Sequence, residues 1–188
     1  MLDASGEKSV SAEKTVPGGI ERLSIDLERD VFLRTLVREL AGALQDIVGL
    51  QEAAGFISIV GQRMGDSINR EYTRKIGHDS LTRDEVAAVL VDLKRRIQGD
   101  FYIISETPER VVMGNRRCPF GEKVIGRPAL CMMTSNVFGA ITAQNLGYAK
   151  VELQHTIAAG DPECRVIVHL VASERSAEVE GREYFASV

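Results

Sequence analysis

"GYAKVELQHTIAAGDPECRVIVHLV", residues 147–171, decides how this chain folds. In its first half Ala149, Val151, Leu153, His155 and Ile157 alternate with Lys150, Glu152 and Gln154, the period-two pattern of a strand with one apolar face. In its second half Cys164, Val166, Val168 and Leu170 share one parity. Gly160-Asp161-Pro162 marks a tight connection between them, so the pair reads as an antiparallel hairpin whose apolar face needs a cover. The same alternation predicts that His155 and Cys164 face inward as neighbours around the turn, while His169 lies on the polar parity and is solvated.

A second hairpin precedes it: "FYIIS" (101–105) and "RVVMG" (110–114) are joined across "ETPE". The cover comes from helices. Leu33, Leu36, Val37, Leu40, Leu44 and Ile47 recur at three- and four-residue steps, predicting an amphipathic helix over Glu28–Val48 that Gly49 stops. A second helix is expected over Phe56–Lys75, with Ile57, Val60, Met64, Ile68 and Tyr72 on one face. It carries Gly61 and Gly65 four apart, which suits close packing against a neighbouring element; Arg63, Asp66 and Arg70 forbid a membrane. Thr82 with Glu85 forms a capping box for a third helix, whose stripe is Val86, Val89, Leu90, Leu93 and Ile97. "PALCMMTSNVFGAITAQN" (128–145) reads as a fourth, with Pro128 in its first turn. The expected fold class is α+β, an antiparallel sheet backed by helices.

At 188 residues the chain is most economically one domain, here 23–172, between a flexible N-terminal tail (1–22) and a polar C-terminal tail (173–188). With 44% hydrophobic and 27% charged residues and a net charge of -4, it has no basic field to attract nucleic acid. Three cysteines are too few and too widely spaced for a secreted disulfide framework. The N-terminus has no apolar core of a signal peptide, and no apolar run reaches the roughly 18 residues of a membrane span, so a cytoplasmic protein is expected.

Three readings compete for the cysteines. Cys118, Cys131 and Cys164, each at an element end, could join His155 in a tetrahedral metal site, although no C-x-x-C pair is present. They could equally be buried, unligated thiols. Cys131 in the first turn of a helix, where the macrodipole favours a thiolate, could be a nucleophile, but no signature of a cysteine enzyme accompanies it. Phe56, Ile59, Met64, Met132, Met133 and Phe138 are large, adaptable side chains on elements that should converge, and they predict an apolar pocket between helices and sheet. The short "NRR" and "KRR" clusters read as solvated faces.

"CPFGEKVIGRPALCMMTSNVFGAIT", followed by "AAGDPECRVIVHL", resembles the methanogen output domain family, small modules that stand alone or join signalling proteins. The Gly-Asp-x-x-Cys turn is similar to the end of 4-vinyl reductase domains, part of a superfamily of ligand-binding folds that includes trafficking subunits of the Bet3 type. The resemblance runs from about Leu27 to Val171. It implies a 4-vinyl reductase/Bet3-like fold and a sensory or output role. Related sensors bind zinc through cysteines and a glutamate near the final hairpin. Here Thr156 stands where a cysteine is expected and Leu153 where the glutamate is, so only Cys164 carries over. A similarity to cluster-binding regions of iron–sulfur regulators also lacks a fourth cysteine.

The expected function is a cytoplasmic signal-transduction module, not an enzyme, that binds a small apolar ligand and/or a zinc or iron–sulfur centre. Its expected partners are a second copy in a homodimer and a histidine kinase or transcription regulator, with no nucleic acid and no membrane. An assembly subunit with purely structural cysteines is the alternative, and a cysteine-dependent enzyme the third reading.

Overall fold

The computed structural model describes residues 28–186. The N-terminal tail lies outside the described residues, as does "RLSIDL" (22–27), whose alternating Leu23, Ile25 and Leu27 read as a short strand or an extended lead-in. Three helices come first: α1 (Arg29–Val48), α2 (Leu50–Ile76) and α3 (Arg83–Arg96). The hairpin β1 (Phe101–Glu106) and β2 (Arg110–Asn115) follows, then α4 (Cys131–Leu146). Next are β3 (Tyr148–His155), β4 (Cys164–His169), a short α5 (Glu174–Glu178) and β5 (Arg182–Phe185). Gly49 alone, at φ +85°, breaks α1 from α2, so α2 starts six residues earlier than its large apolar residues predict. Thr82 caps α3: its hydroxyl accepts from the Glu85 N–H (3.3 Å) and the Glu85 carboxylate accepts from the Thr82 N–H (2.8 Å).

Every strand pair is antiparallel, in the order β1-β2-β4-β3-β5. The two hairpins thus join through β2 and β4. One sheet face carries Val111, Met113, Val166, Val168, Ala149 and Val151 into a core with Val86 and Leu90 of α3 and Phe138 and Ile141 of α4. α2 lies along α4 on the side away from the sheet, and α1 packs on α2. The chain is therefore α+β, as the sequence predicts. Among the described residues no helix is long and apolar enough to cross a membrane.

The C-terminal segment departs from expectation. Residues 173–188 read as a polar tail, yet Ala149 pairs with Tyr184 and the sheet gains a fifth strand. Tyr184 is the one buried residue of that strand, so four residues offered no legible alternation. Its hydroxyl bonds Ser135 Oγ at 2.9 Å, and its ring lies where a side chain on Gly139 would be, 2.1 Å from that Cβ position.

The α2–α4 contact is made by small residues. α2 buries Ala53, Ile57, Ser58, Gly61, Gly65 and Asn69, while Val60 and Met64 of its expected apolar stripe stay about half exposed. A Cβ at Gly61 would come 2.7 Å from Asn136 Cβ, and one at Gly65 2.7 Å from Ala140 Cβ. Polar bonds clamp the same seam: Asn69 Nδ2 donates to Gln144 (2.8 Å), and Asn145 Nδ2 donates to Asn69 (2.7 Å).

Gly65→Ala should therefore destabilise the protein by about 1–3 kcal/mol, because the helices must part to admit the methyl. Gly55→Ala, in the same helix with nothing within 4 Å of the new Cβ, should instead stabilise by about 0.5–1 kcal/mol. Chemical denaturation of the two variants checks both signs; a neutral Gly65→Ala would contradict the close approach.

Candidate ligand cavity

Between α1, α2, the end of α3 and the sheet lies a cavity of about 960 Å³. That is near the upper end of small-molecule sites, roughly 300–1,000 Å³. α1 contributes Val37, Leu40, Ala41 and Leu44, and α2 contributes Phe56, Ile57, Ile59, Val60 and Met64. The sheet and the segment before α4 supply Phe101, Val166, Leu153, Val124 and Leu130. Leu40 and Ile59 are 61% and 54% exposed, whereas Phe101 and Leu130 are 2% exposed, so the cavity runs from solvent between α1 and α2 down to the sheet. α1 buries only Ala41 and Gly42. Its larger apolar side chains line space instead of filling it.

Four of the six expected pocket residues, Phe56, Ile59, Met64 and Met133, line this cavity. Met132 does not: it lines a smaller neighbouring hollow with Ser135, Val151 and Arg182. Phe138 does not either. It is fully buried, edge-on to Phe101 at 5.5 Å between ring centres, within the core.

All three cysteines meet at the cavity. Cys118 comes from the loop after β2, Cys131 opens α4 and Cys164 opens β4. Cys164 Sγ accepts from the Ile157 N–H (3.4 Å) and from Asn115 Nδ2 (3.7 Å). Burial pushes the Cys118 thiol up, and pushes Cys131 up to about 12 with the neighbouring sulfurs adding to it. At Cys131 the loss of water thus outweighs the helix terminus that the sequence suggested would favour a thiolate.

His155 is a correction. The pairing of β3 with β4 shifts register between Leu153 and His155, a bulge that reverses which face the next side chain takes. The imidazole is therefore 60% exposed beside Asp161 (3.8 Å) and points away from the sulfurs. His169, expected in solvent, is 3% exposed and meets Glu152 at 3.3 Å. Among the described residues no three of His, Cys, Asp and Glu are grouped to hold a metal ion. Cys118, Cys131, Cys164 and His155 therefore do not come together as the expected four-ligand set, because the imidazole is turned out.

A buried ammonium lies within electrostatic reach of all three sulfurs. It belongs to Lys94, read from sequence as part of a solvated basic cluster. Lys94 is 4% exposed and lines the cavity. Its Nζ donates to Thr134 Oγ1 at 2.8 Å and sits 5.4 and 5.2 Å from the ring centres of Phe101 and Phe138. Burial pushes its pKa down to about 8. No carboxylate among the described residues pairs with it. A signal existed: Val86, Leu90 and Lys94 follow one another at four-residue steps, so Lys94 continues the apolar stripe.

No curated protein matches the sequence. Among solved structures the fold is similar to that of a trafficking protein particle complex subunit 3 from Naegleria fowleri, covalently bound to palmitic acid. The two share 14% identity at a TM-score of 0.57, over 83% of this chain and 99% of that one, which establishes a Bet3-like fold. The family model of methanogen output domain 1 matches residues 36–169, the span that holds most of the cavity lining, the three cysteines and Lys94. On that match the chain belongs to the methanogen output domain 1 family.

Proposed function

We propose that this chain is a cytoplasmic binding module, not a catalyst, whose cavity takes an elongated apolar small molecule and reports its presence to a protein partner. The observation that carries the reading is the 960 Å³ cavity with apolar walls from α1, α2 and the sheet. A ligand there would cover Leu40, Phe56, Ile59, Val60 and Met64, and burial of apolar surface is worth about 25 cal/mol per Å². The fold relative bound to palmitic acid supports a chain-like occupant. The raised Cys118 and Cys131 thiols speak against a nucleophile.

Reporting would run through α1. That helix is one wall of the cavity, and it is tied to the chain before α4 by Arg38, whose guanidinium donates to the Ile125 carbonyl at 2.9 Å. A ligand that binds one α1 position better than another shifts the population between them. Beside the cavity-lining residues of α1, Phe32, Leu33, Leu36 and Ile47 are exposed and do not line the cavity, an apolar patch suited to a second copy or a signalling partner. A homodimer through this patch should sediment at twice the monomer mass, and Leu33→Arg with Leu36→Arg should return it to monomer; a wild-type monomer at micromolar concentration would exclude it.

For the cavity itself, 1-dodecanol is an uncharged chain probe. At a hundred times its Kd it should raise Tm by roughly 5–10 °C in a domain of this size. Ala41→Trp, which places an indole in the cavity, should remove that shift while the protein stays folded by circular dichroism. No shift for alcohols of eight to sixteen carbons would refute the binding reading.

A further inference from the structure

The polar end of the cavity is chemically unlike its walls. A cation is held there at 4% exposure, with one hydrogen bond, to the neutral Thr134 hydroxyl, out of the three its ammonium can donate. Phe101 and Phe138 present ring faces to it, and among the described residues no carboxylate pairs with it. Burying an unpaired charge is expensive unless something balances it, and proteins usually place a partner beside such a group. Here the unused donors belong to a residue that lines the cavity.

We infer that Lys94, with Thr134 beside it, is the subsite for the acid group of an amphipathic carboxylic acid, so that the ligand enters head first and lays its chain along α1 and α2. This rests on the cavity being a ligand site and adds the class of ligand. The geometry divides the labour. Lys94 supplies charge and two free N–H donors at the inner end, and the Thr134 hydroxyl, already accepting from the lysine, keeps its own proton to donate to a carboxylate oxygen. The apolar residues from Met133 outward to Ile59 and Leu40 then meet only hydrocarbon. No covalent bond is needed.

The lowered pKa of Lys94 gives the site a pH limit. A carboxylic acid is ionised well above pH ~4, so below about 8 both partners carry charge. As pH rises past about 8 the free protein's ammonium loses its proton, and the preference for an acid falls. The titratable groups facing Lys94 are Cys118 from the loop after β2, Cys131 from α4 and Cys164 from β4. Asp30 and Arg34 of α1, Arg63 of α2 and Arg96 of α3 also line the cavity; Arg34 is paired with Asp30 and Arg96 with Asp92.

Calorimetry with dodecanoic acid and 1-dodecanol on the full chain separates head from tail. At pH 6.5 the acid should bind on the order of 10–100-fold more tightly than the alcohol, the worth of a charge-assisted hydrogen bond. Lys94→Met, which keeps an apolar stem of similar length, should erase that difference by weakening the acid. Equal affinities in the wild type, or an acid preference that survives Lys94→Met, would overturn the head-group subsite while leaving the cavity reading intact. Binding of neither compound defeats the cavity reading and this inference with it. Should Lys94→Met fail to fold, the wild type alone decides: the acid-over-alcohol ratio must fall between pH 7 and pH 9.5, and a flat ratio overturns the assignment.

Discussion

The close approach of α2 to α4 is the constraint on which the site depends. With only hydrogen at Gly61 and Gly65, α2 comes so near that Asn136 and Ala140 occupy the space of its missing methyls. A helix held at that distance cannot also bury its bulky residues against α4, because the seam has no room for them. Phe56, Ile59, Val60 and Met64 are therefore turned toward α1 and the cavity. One choice of small side chains thus fixes both a helix pair and the wall of a binding site. Polar residues reinforce the placement: Ser58 Oγ receives Asn136 Nδ2 at 2.9 Å and Arg182 from β5 at 2.6 Å, which ties α2 to α4 and the sheet edge at one point.

Most of this fold could be read from periodicity. The two hairpins, the α3 capping box and the bounds of α1 each depend on local pattern, and local pattern decided them. The failures share a cause too. Strand alternation assigned His155 to the inner face, but a bulge reverses parity without any mark in composition. β5 has one buried residue, so its membership in the sheet rests on Gly139 making room for Tyr184, a contact forty-five residues away in sequence. The cavity residues were half legible: size and flexibility picked Phe56, Ile59, Met64 and Met133, but could not say that Phe138 packs on Phe101 beneath the space. Lys94 was missed because three consecutive basic residues look like a solvated face, while helix geometry sends only Arg95 and Arg96 outward.

The cysteines and the lysine are best understood together. A buried ammonium raises the question of what balances it, and three nearby sulfurs look like the answer until their own burial is weighed. Removing a thiol from water disfavours its thiolate, and each neighbouring sulfur that ionises makes the next ionisation harder. Burial thus pushes Cys131 up to about 12 and raises Cys118 as well, which favours the neutral thiol at both. They behave as small polarisable side chains that complete an apolar wall. Cys164 Sγ already accepts two N–H donors, from Ile157 and Asn115, which spends its lone pairs on the turn that carries it. The three sulfurs that the sequence sets at element ends do meet in space, but beside a buried ammonium and without His155, at the end of the cavity where Lys94 lies.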